Sequence, residues 1–353
     1  MSAAKGDAAS GGAAPRSILV LRTSALGDVV HCLPVASALR RAFPAARISW
    51  VIEEPFAPLI ATHPAVDEAI PVALRRWRRT PLASTRREVV AFLRRLRAQR
   101  ADVALDLMGN HKGGILARLS GAPRRIGAAQ RWRREPSSAT WLNDTVEPRG
   151  DHAVDRALSL LTPLGITSPA ADFAADSLLP PQPSSDSAGA AVEAGSYVLL
   201  QPGAGWGNKR YPIFWWGEVA RALVTAGERV RVLAGPDEAP LAAGVAEAAG
   251  DGVSPLDPGG VTGLAAWLRG ARLVLGGDTG PLHLAHALGA PVLQLHGPTD
   301  PARHGPYGAP ERALYRRLPC SFCYRRYAET KACLLELQPR EVAARALALL
   351  APR

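Results

Sequence analysis

Short apolar runs alternate with amphipathic segments along both halves of the chain. Seven of these runs have the length of a β-strand: residues 17–22, 47–52, 102–107, 197–201, 229–234, 271–276 and 291–296. Such runs, separated by helical segments, are typical of parallel strands that are buried on both faces. The pattern therefore predicts an α/β protein with two doubly wound, Rossmann-like domains.

Composition divides the chain further. Residues 1–16 are small and polar and lack the apolar core of a secretion signal, so we expect a disordered tail on a cytoplasmic protein. Residues 171–195 are rich in Pro, Ser, Ala and Asp, which predicts a linker between an N-terminal domain (17–170) and a C-terminal domain (196–335). A final helix is predicted within 336–353.

The positive charge is concentrated in two places. The formal net charge is +11, yet residues 75–100 hold ten arginines against the single acid Glu88, and residues 124–134 hold five arginines and no acid. The patch indicates an anionic partner such as a phosphate-bearing lipid, a nucleic acid or a nucleotide. The alternative is a solvated arginine-rich face. No apolar run approaches the ~18 residues of a membrane span.

Two such domains are expected to face each other across a central cleft. Ligands of open α/β sheets bind beyond the carboxyl ends of the strands. The loops that directly follow predicted strands are therefore the candidate binding loops: residues 22–29, 108–113, 202–210, 235–238 and 276–283.

The loop after the strand at 271–276 has the residues of an anion site. Thr279 offers a hydroxyl, Gly280 leaves the backbone accessible, and His283 lies in the first turn of the following helix, whose free N–H groups attract phosphate. Asp278 would then accept hydrogen bonds from sugar hydroxyls. The alternative is that Asp278 or Thr279 only caps the helix.

Two further loops of the second half fit the same ligand. The glycine-rich stretch 201–212 contains Lys209, which can reach a phosphate, and Glu238 follows the next strand, where it can accept from ribose hydroxyls. The stretch lacks both the Walker A and the Gly-x-Gly-x-x-Gly spacing, so nicotinamide binding is weakly supported. A flexible loop and a surface glutamate are the alternatives.

The loop after the first strand carries a carboxylate. Asp28 is expected at the C-terminal end of the first strand, just before a helix, and would face the opposite domain, where it could deprotonate an incoming hydroxyl. Thr23 and Ser24 would support it or contact substrate. The alternative is a capping role for Asp28, and His31 nearby is more simply a structural histidine.

The cysteines do not make a convincing metal site. Cys320, Cys323 and Cys333 form a C-x2-C-x9-C pattern, but no fourth ligand lies at suitable spacing for zinc. We therefore expect buried or free thiols, no metal and no cofactor.

Two motifs taken together resemble a known family. The stretches LVLRTSALGDVVHCLPVASALRRAFP and GGDTGPLHLAHALGAPVLQLHGPTDP, in this order, are similar to the lipopolysaccharide heptosyltransferases of glycosyltransferase family 9. The segment 49–79 most resembles heptosyltransferase I. The resemblance implies a two-domain GT-B fold, an ADP-heptose donor, and inverting transfer to the Kdo-lipid A inner core at the inner face of the cytoplasmic membrane.

The resemblance also assigns roles. Asp28 matches the family's proposed base. Lys209, Thr279 and Gly280 match its diphosphate contacts, Asp278 its heptose-binding aspartate, and Glu238 its ribose contact. For the acceptor we expect bidentate pairing of lipid phosphates with the exposed arginines of the RRWRR run, whose Trp77 suits a membrane interface: Arg75, Arg76, Arg78 and Arg79.

Two departures leave the acceptor open. Heptosyltransferase I usually has Thr-Thr where this chain has Ala204-Gly205, and PCSFCYRR in the tail is more like heptosyltransferase II. The competing hypotheses are a family member with another nucleotide sugar or acceptor, a nucleic-acid binder that uses the arginines, and a nicotinamide oxidoreductase. The nucleic-acid hypothesis gives no reason for acidic residues at strand ends.

Overall fold

A computed structural model describes residues 14–178, 195–235 and 237–351. Most of the predicted tail and of the predicted linker lies outside the described residues. Leu178, the last described residue before the second gap, is buried.

The first half folds as one parallel sheet covered by helices. Its strand order is β3-β2-β1-β4-β5-β6, and every neighbouring pair is parallel. The strands are β1 (Ser17–Leu21), β2 (Arg47–Glu53), β3 (Glu68–Val72), β4 (Val103–Asp106), β5 (Arg124–Ala128) and β6 (Asp144–Val146). The helices are α1 (Leu26–Val30), α2 (Leu33–Ala42), α3 (Ala57–Ala61), α4 (Leu74–Trp77), α5 (Leu82–Ala98), α6 (His111–Leu119) and α7 (Ala153–Ser159).

The second half repeats this plan. Its strand order is β12-β11-β10-β7-β8-β9, again all parallel. The strands are β7 (Tyr197–Gln201), β8 (Arg229–Leu233), β9 (Val253–Leu256), β10 (Leu273–Gly277), β11 (Val292–His296) and β12 (Ala313–Tyr315). The helices are α8 (Ile213–Thr225), α9 (Ala239–Ala249), α10 (Val261–Gly270), α11 (Gly280–Ala287), α12 (Pro301–His304), α13 (Ala332–Leu335) and α14 (Pro339–Leu350).

The central strands are apolar because helices cover both faces of each sheet. Every residue of β7, β10 and β11 is buried, as are all but the first residue of β1. In both sheets the order reverses beside the first strand, which opens a crevice at its carboxyl end. The prediction of two doubly wound parallel sheets is confirmed.

The two sheets share an apolar interface. Val29 and Leu33 of the first half belong to the same buried cluster as Leu282 and Leu284 of the second half. The switch-point crevices therefore open toward each other, with α1 against α11. In the described part of the chain, no helix has the length and apolar character needed to span a bilayer.

Candidate active site

Asp28 lies in the first turn of α1, three residues after the N-cap residue Ala25. Its Oδ2 receives a 2.6 Å ion pair from Arg22 and a 3.3 Å hydrogen bond from the Ala25 amide. The predicted capping contact is therefore present. The side chain is still 46% exposed, so the carboxylate remains accessible for chemistry as well.

Arg22 was not among the predicted site residues. Its guanidinium is buried beside Asp28 and also donates to the Leu107 carbonyl. Partial burial disfavours a charged Asp28, but Arg22 and the Ala25 amide outweigh this and hold the pKa of the carboxyl below its ordinary value. Asp28 is therefore ionised at neutral pH and can accept a proton.

Asp278 forms the centre of the opposite side of the site. Its Oδ2 pairs with Lys209 Nζ at 2.6 Å, and its Oδ1 accepts from His283 Nε2 at 2.8 Å. Burial disfavours the charged form, yet His283 and Lys209 hold the pKa of Asp278 well below its ordinary value. Each oxygen thus has one protein partner and keeps a lone pair for a further donor, so the role of Asp278 toward sugar hydroxyls stays a prediction.

His283 also differs from its prediction. Its Nε2 contacts Asp278, and its Nδ1 lies 3.2 Å from His31 Nε2. Both ring nitrogens are thus engaged, and neither is free to donate to a phosphate oxygen. The sequence could not reveal this, because the two histidines are 252 residues apart.

Thr279 stands at the N-cap position of α11 without capping it. Its side chain makes no cap hydrogen bond, and its buried hydroxyl has no partner in the described part of the protein. Gly280 and Pro281 follow as the first helical residues. A free hydroxyl beside unpaired helix N–H groups is the arrangement expected for an anion site, so the capping alternative for Thr279 is wrong.

Lys209 and Glu238 lie on the neighbouring loops, as their positions after strands predict. Lys209 ends a short turn, Gly207–Lys209, with Nζ 4.5 Å from the centre of the Trp206 ring. Glu238 accepts 3.2 Å hydrogen bonds from Gln201 Nε2 and the Gly235 amide through Oε2. Both groups therefore border the crevice beyond β7 and β8.

Two glycines bring the two sides together. A Cβ on Gly27 of α1 would lie 2.5 Å from His283 Cδ2, and a Cβ on Gly280 of α11 would lie 2.8 Å from Leu26 Cβ. Any other residue at either position would separate the helices. Asp28 is therefore held beside the helix start that carries Thr279.

The predicted acceptor contacts divide into two groups. Thr23 is 1% exposed and its hydroxyl contacts Met108 Sδ at 3.8 Å. It therefore supports the loop, and the expectation that it contacts substrate is not supported. Ser24 is half-buried beside it.

All four predicted arginines on and after α4 are exposed. Arg76 is paired with Glu88 at 2.8 Å and with Glu54 at 3.3 Å. Within the described ranges Arg75, Arg78 and Arg79 pair with no carboxylate, so they are available to an anionic ligand.

Three of the five arginines of the second segment are paired with carboxylates, and one of these, Arg133, is internal. Arg133 is fully buried and pairs with Asp106 at 2.5 Å, Arg124 pairs with Asp144, and Arg131 with Glu147. The expectation that residues 124–134 extend an anion-binding patch is wrong for Arg133, which is buried; Arg124 and Arg131 stay accessible, each paired with one carboxylate.

Two histidines that the sequence did not single out border the same crevice. His304, at the end of α12, stacks on His31 with ring centres 6.1 Å apart, and the His152 ring lies 5.3 Å from that of His31. Burial, ahead of nearby charges, lowers the pKa of His304 to about 3, so its ring is uncharged at neutral pH. Each of these histidines follows a strand in the sequence, His152 after β6 and His304 after β11, and that position was the only signal that could have marked them.

The cysteines remain thiols. Cys320 and Cys323 are exposed and Cys333 is buried. Across residues 14–178, 195–235 and 237–351, no group of three or more His, Cys, Asp or Glu side chains is arranged to hold a metal ion.

Comparisons with known proteins show which enzymes the chain resembles. The chain is 32% identical to lipopolysaccharide heptosyltransferase 1 of Pseudomonas aeruginosa over 94% of its own length and 98% of that protein. It is 26% identical to lipopolysaccharide heptosyltransferase 2 of Escherichia coli, with 80% of the chain covered and 83% of that protein.

Solved structures give the same answer. The fold matches E. coli heptosyltransferase WaaC with ADP at a TM-score of 0.78 and 29% identity, over 94% of this chain and 99% of that one. The same enzyme with ADP-2-deoxy-2-fluoro heptose matches at 0.74 and 28%, with the same coverage. These matches confirm the predicted GT-B-like fold. The family model for glycosyltransferase family 9 (heptosyltransferase) matches residues 89–333, and the chain belongs to that family of glycosyltransferases.

Proposed function

We propose that this enzyme transfers heptose from ADP-L-glycero-D-manno-heptose to the Kdo-lipid A inner core, with inversion at the anomeric carbon. One observation carries the proposal: Asp28 and the Lys209–Asp278–Thr279 group belong to different sheets, yet lie where α1 and α11 touch. A base on one side of a closed crevice and an anion site on the other is what a nucleotide-sugar transfer requires.

The donor side rests on chemistry and on relatives. Lys209 offers a cation, Thr279 an unpaired hydroxyl, and α11 its N-terminal amides, which together suit a diphosphate without a metal. Glu238 suits the ribose hydroxyls. Heptosyltransferase WaaC has been solved with ADP and with ADP-2-deoxy-2-fluoro heptose, which supports ADP-heptose as the donor here.

The chemical step follows from these positions. Ionised Asp28 takes the proton of the acceptor hydroxyl as that oxygen forms a bond to the anomeric carbon. The bond from the anomeric carbon to the diphosphate oxygen breaks on the opposite face, and ADP leaves with the electron pair. Lys209 and the α11 amides stabilise the charge that develops on the leaving diphosphate.

For the acceptor we propose the anionic lipid itself. Arg75, Arg78 and Arg79 are exposed on the segment that follows β3, and guanidinium groups bind phosphate and carboxylate bidentately. Trp77 of the same segment packs its ring against Phe92 and donates from Nε1 to Glu88, so the proposal rests on the arginines alone. We therefore propose peripheral association with the inner face of the cytoplasmic membrane. Nucleic acid is not a proposed partner, since that function gives no role to the carboxylates of Asp28, Asp278 and Glu238.

The proposal is tested by mass spectrometry of the products formed from ADP-heptose and Kdo-lipid A. A mass increase of one heptose, with the opposite anomeric configuration by NMR, is the expected result. Transfer only to an acceptor that already carries one heptose would instead assign a heptosyltransferase II-like activity. Absence of transfer to either acceptor, with turnover of another nucleotide sugar, would overturn the proposed donor.

Membrane association has its own measurement. Vesicles containing anionic lipid should bind the protein, and binding should weaken as salt rises, because each arginine near the surface contributes about 1 kcal/mol of screened attraction. Replacing Arg75, Arg78 and Arg79 by Gln should remove most of the binding. Vesicle binding that ignores ionic strength would contradict an electrostatic attachment.

A further inference from the structure

We infer that His31 is a positioning residue: through His283 and Asp278, it fixes the helix that carries Asp28 against the donor-binding loop. The inference rests on the proposed function, because it assigns His31 the task of aligning the proposed base with the proposed diphosphate site. It goes further in naming a residue with no expected contact to donor or acceptor.

Hydrogen bonds join three buried side chains, Asp278, His283 and His31, in one continuous network. Asp278 Oδ1 lies 2.8 Å from His283 Nε2, and His283 Nδ1 lies 3.2 Å from His31 Nε2. The exposed fraction is 8% for Asp278, 7% for His283 and 6% for His31. Because water hardly reaches these groups, each hydrogen bond lacks a solvent competitor and constrains its partners strongly.

The direction of the hydrogen bonds that join these three side chains is set by the carboxylate of Asp278. A carboxylate only accepts, so His283 donates from Nε2 to Asp278. Burial and the neighbouring histidines hold the pKa of His31 well below its ordinary value, so its ring is neutral. The His283 tautomer that donates from Nε2 has its acceptor at Nδ1, which faces His31 Nε2. In this arrangement His31 of the first half donates to His283 of the second half, and His283 donates to Asp278.

His31 belongs to the same short helical turn as Asp28. Its amide closes α1 with a 3.0 Å hydrogen bond to the Gly27 carbonyl, and Asp28 is the next residue after Gly27. A helix of five residues has little rigidity of its own. Its position relative to α11 therefore depends on its neighbours, which include the Leu26–Gly280 and Gly27–His283 approaches and the His31–His283 bond.

The rest of the surroundings offers His31 no substitute bond. His31 Nδ1 is buried and has no hydrogen-bond partner in the described part of the chain. His152, which packs against the ring, is engaged with the Gly305 carbonyl and the Val154 amide. An unpaired buried nitrogen such as His31 Nδ1 costs free energy. A role for His31 Nε2 in positioning gives a reason for a histidine at this place.

Two substitutions separate positioning from simple packing. His31→Gln keeps an amide donor near the position of Nε2, whereas His31→Leu fills the space without a donor. We expect His31→Leu to lower kcat by about 10- to 100-fold, since small misplacements of reacting groups have effects of that order. We expect His31→Gln to keep kcat within about threefold, and both variants to bind ADP as the wild type does.

His63 supplies the matched control. It is a histidine of the first half, 1% exposed, that accepts the Ala65 amide at Nδ1 and leaves Nε2 unpaired. His63→Leu should lower the thermal midpoint and leave kcat unchanged. The inference is overturned if His31→Leu retains wild-type kcat, if Gln and Leu lose activity equally, or if the loss of kcat is matched by a rise in the Kd of ADP.

A readout without turnover distinguishes this inference from the proposed function. Backbone amide exchange over residues 26–31 should slow when ADP is added to the wild type or to His31→Gln, but not to His31→Leu. If Asp28→Asn retains full turnover, the proposed base is wrong, while the exchange result still decides the role of His31. Equal protection by ADP in all three proteins would refute the positioning role.

Discussion

At the scale of single residues, the pairing of Arg22 with Asp28 decides how the proposed base behaves. An isolated carboxylate in a partly buried crevice would have a raised pKa, whereas here Arg22 holds the pKa of Asp28 below its ordinary value. The base is therefore fully ionised at neutral pH. Its modest basicity is offset by orientation, because the ion pair and the Ala25 amide fix one carboxylate oxygen and leave the other free.

Removing Arg22 should change the pH dependence of turnover. In Arg22→Leu, burial would act on Asp28 without the opposing cation, so the pKa of Asp28 should rise and the acidic limb of the kcat profile should move to higher pH. Arg22→Lys keeps a charge and serves as the control. Rates measured between about pH 5 and 8 decide this; superimposable profiles for Leu and wild type would show that Arg22 does not govern the base.

Lys209 should govern donor affinity. Lys209→Met removes the cation expected at the diphosphate and also leaves the buried Asp278 carboxylate without its 2.6 Å ion pair. Loss of one partner of a buried pair costs about 2–5 kcal/mol, so we expect the Kd of ADP to rise at least about tenfold. Calorimetric titration measures this.

Lys112→Met is the matched control for Lys209→Met, since Lys112 is an exposed lysine of α6 in the first half. It should leave ADP affinity unchanged. Equal affinities of Lys209→Met and wild type would remove Lys209 from the donor site.

The sequence allowed the site residues to be placed at the ends of strands, but it did not allow the partners of their side chains to be predicted. Asp28, Lys209, Glu238 and Asp278 all lie at the predicted edge, because parallel strands must end together. The engagement of His283 by His31, and of Arg133 by Asp106, depends on tertiary contacts that no local pattern carries.

At the scale of elements, the approach of α1 to α11 is the feature on which the site depends. Gly280→Ala would place a methyl group 2.8 Å from Leu26 Cβ and 3.2 Å from the Gly27 amide nitrogen. Because these neighbours are backbone or close to it, they cannot yield easily. Overpacking of this kind costs about 1–3 kcal/mol, so kcat/KM should fall by about 10- to 100-fold while the fold persists.

Gly205→Ala provides the comparison for Gly280→Ala. Gly205 lies in the loop after β7, and a Cβ there meets no atom within 4 Å. It should retain kcat/KM. Steady-state kinetics of the two variants, with circular dichroism as a check on folding, measures the effect; full activity of Gly280→Ala would contradict a closely packed interface.

The pattern of apolar runs predicted seven of the described strands and missed five. The missed strands, β3, β5, β6, β9 and β12, are partly exposed and mix polar residues with apolar ones. Four of them, β3, β6, β9 and β12, are edge strands with one flank toward solvent, and β5 lies beside the edge strand β6. Continuous apolar runs are required only in the middle of a covered sheet, so the pattern had no means of marking them.

At the scale of the whole molecule, buried neutral histidines make stability dependent on pH. Burial lowers the pKa of His63 and His296 to about 4, and both side chains are essentially unexposed. The unfolded chain binds these protons near pH 6.5, whereas the folded chain does not. Stability is therefore complete above about pH 6.5 and falls as pH decreases toward 4, by up to about 1.4 kcal/mol per pH unit for each histidine.

Calorimetry at pH 7, 6 and 5 should accordingly show a falling thermal midpoint. His63→Gln removes one such proton and should make the decline shallower. A midpoint that does not change over this range would show that these histidines are protonated in the folded protein.

The most direct test of the account is the single-turnover rate of Asp28→Asn with saturating ADP-heptose and Kdo-lipid A, measured together with the Kd of ADP. The amide preserves shape and hydrogen bonding but cannot take a proton. We expect the rate to fall by about 10²- to 10⁴-fold with unchanged ADP affinity, because donor binding belongs to the other half of the molecule. A rate within a few fold of wild type would contradict the central claim that Asp28 is the base.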